Sequence, residues 1–268
     1  MEHLDTVIVV GLFAVFLLAE HLAGISRHQS RAKEEHLIDF VSLMQLGLIK
    51  PAVLIIAFLL TGLLFPESRN SLAEIPFWLG FLLVFLPDDF LHYWIHRLAH
   101  RWPRLWPLHR THHTPTVYQV SIAFRENWLW FWVMPGFWWM GAMTYFGLFE
   151  QVVLSATVIG VHNVLLHTGF KADRSLYQNG PTKRLVRGFE YLVNTPSLHR
   201  GHHGLGNNGV PSGNFAQTLF IWDVLFGTAV FQDSRVPERY GTVNPDSMRQ
   251  PWYYQLWWPL ARKRKMES

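Results

Sequence analysis

The chain has 268 residues, half of them hydrophobic, 15% aromatic and only 16% charged, with 13 tryptophans; soluble domains carry roughly 25% charged residues, so the composition points to a membrane protein. There is no cysteine, which excludes disulfides, iron–sulfur clusters, thiolate metal ligands and cysteine nucleophiles. The net charge of +4 is spread over loops between apolar runs instead of forming one patch, so a nucleic-acid partner is not expected.

The N-terminus, MEHLD, lacks the cationic start of a secretory signal and is expected to stay on the chain. Val7 to Ile25 is apolar apart from Glu20 and His21 and predicts a first transmembrane helix. A polar loop with Arg27, Arg31 and Lys33 follows. Leu37 to Phe65 is apolar but interrupted by Lys50-Pro51. A buried lysine is costly and proline breaks helices, so two readings stand: a kinked span, or an interfacial helix followed by a shorter insertion. Phe77 to Leu86 begins a third span. Between Asn127 and Phe170 only Glu150 is charged in 44 positions, which predicts two spans joined by a turn near Gly147 to Glu150. Trp128, Trp130 and Trp132 read as an interfacial aromatic belt. The Phe124 to Met143 region supplies expected walls for an apolar substrate. The closing Arg262 to Lys265 run reads as a tail touching anionic lipid.

Basic residues number three, five and thirteen in the segments 26–36, 97–126 and after 170, but one and none in 66–76 and 147–150. The positive-inside rule therefore predicts an outside N-terminus, a cytoplasmic C-terminus and four or five passes. Three regions are expected: membrane helices over 1–75, a histidine-motif domain over 76–232, and a basic cytoplasmic tail over 233–268.

Asp88 to His113 holds six histidines, at 92, 96, 100, 109, 112 and 113. The pattern H-x-x-H-H occurs as His109/His112/His113 and again as His199/His202/His203. On a helix, residues i, i+3 and i+4 share one side, so each triplet offers imidazoles in one direction. His96 and His100 are one helical turn apart, with His92 one turn further back. His162 and His167 are five apart, about 140° around a helix of 3.6 residues per turn. They serve two metals, or a π-bulge aligns them, or one is not a ligand; His167 is favoured. So many imidazoles suit two metal ions, and imidazole alone suits iron, zinc, copper or nickel. His3, His21, His28 and His36 lie outside any cluster and read as ordinary surface histidines.

The D-x-x-x-Y-W-x-H-R-x-x-H run from Asp89 to His100, the two H-x-x-H-H motifs, and Asn214-Phe215 with Trp222 to Thr228 resemble the fatty acid hydroxylase / sterol desaturase superfamily. The resemblance implies an all-α, polytopic membrane protein with a cytoplasmic helical cap carrying a di-metal site. It implies a di-iron oxygenase that hydroxylates or desaturates a membrane lipid with O2 and electrons from a separate reductase; zinc is expected to replace iron in some purified or crystallised forms. Carried over by position, the metal ligands are His96, His100, His109, His112, His113, His162, His167, His199, His202 and His203. Asp89, His92, Asn163 and Asp223 are expected to support them, with the two aspartates and the asparagine fixing imidazole tautomers.

Two other classes compete. A metal transporter would carry polar groups along several spans, whereas these histidines lie at predicted helix ends. A zinc hydrolase would need a general-base glutamate near the motifs, and none is evident in the sequence.

Overall fold

The computed structural model describes residues 4–25, 33–248 and 250–261. Arg27, Arg31, His3, His28 and the Arg262 to Lys265 run lie outside the described residues.

Long apolar runs become long helices. Helix α1 spans Leu4–Leu22. Helix α2 spans Lys33–Leu64, 32 residues, or about 48 Å at 1.5 Å per residue. It continues through Pro51, so the split into two shorter pieces does not occur. The proline leaves the carbonyl of Gly47 without its helical donor, a local cost that packing on neighbouring helices offsets. Helix α3, Phe77–Arg101, carries His92, His96 and His100 in its last three turns. Helix α4, Trp106–His113, holds the first H-x-x-H-H. A short helix α5, Trp130–Val133, leads into α6, Pro135–Tyr145, and then α7, Phe149–Leu166.

Among the described residues, helices α2 and α7 are long and apolar enough to cross a bilayer, and α1 adds a shorter apolar run from Val7 to Leu22. Only one of the two spans expected between 127 and 170 has that length. Helix α6 has 11 residues, about 16 Å, roughly half of a 30 Å hydrocarbon core. The shortening follows from Pro135, which starts the helix deep beside α3. There a Cβ on Gly136 would lie 1.6 Å from an Asp88 carboxylate oxygen. Further along, a Cβ on Gly141 would meet the Leu54 carbonyl at 2.6 Å, so bare backbone lets α6 press against α2. Trp130 is buried among Ala99, Leu108 and Met134 instead of joining an outer belt.

The remaining chain is short helices: α8, Gly180–Glu190; α9, Pro196–His202; α10, Ile221–Leu225; α11, Pro245–Met248; and α12, Trp252–Trp257. Thr195 caps α9, its side chain accepting from Leu198 N, and Pro196 occupies the first turn. Strand β1, Gly204–Leu205, pairs antiparallel with β2, Arg239–Tyr240. Beyond 232 the chain docks on the body: the Gln255 carbonyl accepts from Thr111 and Asn127, and Leu256 is fully buried.

Contacts define two ends of the bundle. At one, Asn70 and Leu72 donate backbone bonds to the Tyr145 and Phe146 carbonyls. At the other, Glu20 closes α1 by accepting from Val120 N (2.9 Å) and Gly169 N (2.6 Å). At that same end the buried Arg125 guanidinium reaches Glu35 (2.6 Å) and Asp39 (3.3 Å) near the start of α2, the Thr111 carbonyl and the Thr114 hydroxyl. A buried charge is stable only when paired and hydrogen-bonded, so Arg125 fastens α2 to the end of α4. Both H-x-x-H-H motifs lie at this end. The outward surface of α2 and α3 is apolar, with Leu48, Leu63 and Trp78 among its exposed side chains, while the interior at the histidine end is polar. That inverts the arrangement expected of a protein in water.

Candidate metal centre

Nine histidines converge into two groups. His96, His100, His109, His113 and His202 form one; His112, His167, His199 and His203 form the other. Within each group the ligand nitrogens lie within 4.8 Å of one another. The groups adjoin, with His113 of the first and His203 of the second stacked at 4.3 Å between ring centroids.

Helix geometry explains the sorting. Each H-x-x-H-H sends its first and last histidine, four residues apart, to one group. The middle one, three residues from the first, points about 100° away from the last and goes to the other group. His109 and His113 enter the first group while His112 crosses to the second; His199 and His203 enter the second while His202 crosses to the first. The triplets do not act as triads on one centre, as their shared helical side suggested; each feeds two.

The nitrogens are placed for metal. Nε2 separations are 3.2 Å for His100–His113, 3.1 Å for His109–His113, 3.2 Å for His112–His167, 3.0 Å for His167–His199 and 3.2 Å for His199–His203. Two imidazoles at right angles around a metal about 2.1 Å from each nitrogen would stand roughly 3.0 Å apart. Hydrogen bonds between the rings cannot supply the attraction throughout. His167 uses its Nδ1 proton on the Asn163 carbonyl at 2.8 Å, so its Nε2 is a bare lone pair. The same holds for His96, donating to the Phe215 carbonyl at 2.6 Å, and His202, donating to the Gly213 carbonyl at 2.8 Å. The Nε2 atoms of His96 and His202 are buried with no hydrogen-bond partner. Bare lone pairs meeting in a buried space fit a cation, and an all-imidazole donor set fits a transition metal. Burial first, and neighbouring imidazoles second, hold His109, His113, His199 and His203 well below the ordinary histidine range. They are therefore neutral, the form a metal binds.

His162 joins neither group. Its Nε2 lies 3.1 Å from the Asn194 carbonyl, and the five-residue offset from His167 turns it away. His92 stands edge-on to His96 at 5.8 Å, also outside the groups. Asp223 and Asn163 meet the imidazoles through main-chain carbonyls, and Asp89 holds the 218–222 segment instead of an imidazole. Asp223 accepts from Phe215 N (2.9 Å), Ala216 N (2.7 Å) and the Thr228 hydroxyl (2.6 Å), fixing the carbonyl to which His96 donates. Asp89 accepts from Thr218 N (2.9 Å), Leu219 N (3.0 Å) and the Trp222 indole (2.9 Å). The Asn163 side chain donates to the Ala123 carbonyl, while its own carbonyl takes the His167 proton.

One residue escaped sequence reasoning. Glu126 is buried, with Oε1 3.5 Å from the Nδ1 atoms of both His109 and His112. The expectation that no glutamate lies near the motifs is corrected. It faces the outer edges of one imidazole from each group, so it can orient both rings. The only hint was its place after Arg125, thirteen residues beyond His113, with no spacing rule to flag it.

Met140 and Gly141 from the expected substrate walls line a groove of about 330 Å3 between α2, α6 and α7, with Lys50, Phe58 and Phe149.

A helical bundle closed at one end by two groups of converging imidazoles defines a class: a histidine-rich protein on long apolar helices whose donor groups could hold metal ions. The chain belongs to the fatty acid hydroxylase family, whose model matches residues 81–228. It is 33% identical over 174 residues to an alkylglycerol monooxygenase of Xenopus tropicalis, covering 65% of this chain and 35% of that protein. An alkylglycerol monooxygenase of Danio rerio is 27% identical over 238 residues, 85% of this chain and 49% of its own. Ornithine lipid hydroxylase OlsE of Rhizobium tropici is 26% identical over 199 residues, 67% and 50%. The chain thus spans a third to a half of the length of these relatives. No solved structure matches it.

Proposed function

We propose that this protein is a multi-pass membrane oxygenase that hydroxylates a lipid at a di-iron centre, with O2 and electrons from a separate electron-transfer protein. The observation that carries the reading is the convergence of nine buried imidazoles into two adjoining groups in a chain of this family. Relatives named for hydroxylating an alkylglycerol and an ornithine lipid favour a polar lipid substrate and hydroxylation over desaturation. Iron bound by these residues would supply the oxidising power that side chains lack for an unactivated C–H bond.

The residues have distinct tasks in this reading. His96, His100, His109, His113 and His202 would hold one ion, and His112, His167, His199 and His203 the other. The carbonyls of Phe215, Gly213 and Asn163 hold the Nδ1 protons of His96, His202 and His167, which keeps each Nε2 free as a ligand. Glu126 orients His109 and His112 from the far side of their rings. The buried surroundings exclude water that would otherwise divert a reactive oxidant.

Helices α1, α2, α3 and α7 would carry the protein through the bilayer, with α6 inserted beside them from one end. Among the described residues, Arg110 of α4 and Arg125 lie at the histidine end, and with the basic-residue count along the sequence they support a cytoplasmic centre. The transporter reading gains no support from this placement, because the imidazoles gather at one end of the bundle instead of along it.

Lipid mass spectrometry of cells with and without the gene tests the activity. The expected result is a lipid class one oxygen heavier when the gene is present. A lipidome unchanged by the gene in cells making folded protein would refute it.

A further inference from the structure

Helix α8 is inside out. The residues facing away from the protein are Pro181, Arg184, Leu185, Gly188 and Phe189, continued by Leu192. Their spacing of three and four places them on one helical stripe. Leu185 is 76% exposed, Phe189 54% and Leu192 57%. Of its basic residues, Arg184 stands on the stripe, whereas Lys183 and Arg187 are tied to the protein side. Lys183 and Arg187 both pair with Asp233, and Arg187 also pairs with the fully buried Glu190. Glu190 is held in turn by the Tyr177 and Thr195 hydroxyls. The orientation is therefore fixed, and the outward apolar stripe is not a loosely packed core face.

The position of α8 says what covers the stripe. Just past its end, Ile221 N donates to the Leu192 carbonyl, and the neighbouring Trp222 bonds Asp89 and packs on Phe90 of α3. The Asn194 carbonyl meets His162 of α7. Asp89 is twelve residues beyond Phe77, about 18 Å along α3, and His162 thirteen beyond Phe149, about 20 Å along α7. If α3 and α7 start at the opposite edge of a roughly 30 Å hydrocarbon core, as the membrane reading has it, both points lie about two-thirds of the way through it. The remaining distance is about 10–12 Å, close to the roughly 5–10 Å by which a helix lying in the membrane plane buries its apolar face between headgroups and acyl chains.

We propose that α8 is an in-plane membrane anchor whose stripe of Leu185, Phe189 and Leu192 inserts into the phospholipid interface on the histidine side. Arg184, exposed on the stripe, lays its alkyl stem among the acyl chains and its guanidinium on lipid phosphates. The proposal rests on the membrane reading above and adds an element that composition along the chain did not flag as membrane-associated.

The chain has no cysteine, so single-cysteine reporters need no background removal. Spin labels at Leu185→Cys and Phe189→Cys would be compared, in the full chain in phosphatidylcholine vesicles, with Leu59→Cys on the exposed side of α2 and Asn207→Cys on an exposed turn. Collision with oxygen reports lipid and collision with a soluble nickel chelate reports water. The expected oxygen-to-nickel ratio at 185 and 189 is several-fold above that at 207 and below that at 59. A water-like ratio at 185 and 189, with a lipid-like ratio at 59, would overturn the anchor and leave the membrane reading intact. Shielding of 185 and 189 from both probes would overturn it too, because protein would then cover the stripe. A water-like ratio at 59 as well would overturn the membrane reading itself.

Discussion

The two histidine groups are built alike and end up unequal. Each takes two imidazoles from one H-x-x-H-H and one crossing imidazole from the other. Helix α3 then gives the first group both His96 and His100, four residues apart, whereas α7 gives the second only His167. The difference is one residue of spacing. Four residues turn a helix about 40° past a full turn, and five turn it about 140°. His162 therefore faces the Asn194 carbonyl while its sequence neighbour in the motif logic reaches the centre. The lesson is that a histidine near such a cluster joins it only when its phase on the helix matches, and that the second group holds one imidazole fewer among the described residues.

The comparison can be broken at its strongest point first. The crossing ligands tie each helix to both groups, so His112→Ala and His202→Ala should abolish lipid oxidation and lower bound metal, measured by elemental analysis, by one ion or more per chain. Wild-type metal content and activity in either variant would dissolve the two-group assignment. Next, His167→Ala should lose metal from the second group, whereas His162→Ala should keep full metal and lose about 0.5–1.5 kcal/mol of stability, the usual net worth of one hydrogen bond. Equal metal loss in the two variants would show that phase does not decide membership.

Smaller effects probe the supports. Supporting partners of metal-bound histidines are worth about 10–100-fold in metal affinity. Glu126→Gln should fall in that range in a competition titration with a chelator, with metal lost from both groups, since it faces one imidazole of each. Loss from one group alone would mean that the carboxylate serves a single ring. Asp223→Asn removes an acceptor that acts through the 215–216 backbone, so it should cost about 1–3 kcal/mol in thermal unfolding with a weaker effect on metal than Glu126→Gln. An effect on metal as large as that of Glu126→Gln would give Asp223 a direct hold on an imidazole.

Some of this was readable along the chain. Hydropathy marked where α1, α2, α3 and α7 lie, and the i, i+3, i+4 spacings marked which imidazoles could act together. The same spacing argument flagged the mismatch at His162. Other features were hidden because they depend on partners distant in sequence. Pro51 leaves a kinked span and a split helix both open in the sequence, and α2 continues, because packing against α6 at Gly141 supports the helix through it. The uncharged run from Asn127 to Phe149 reads as a span, yet α6 has only 11 residues, since α5 and Trp130 fold into the core first. Asp89 and Asp223 read as imidazole partners, and they bind backbone amides instead.

The sequence by itself determined the donor chemistry, histidine without cysteine, and the helical phase of each imidazole, because both follow from residue identity and local spacing. Only the tertiary structure decided which helix feeds which group, that Glu126 faces one imidazole of each from outside, and that α8 wears its apolar side outward. Those outcomes depend on how separate helices cross and what each leaves uncovered, and a chain read in one dimension carries no distance between residues a hundred positions apart.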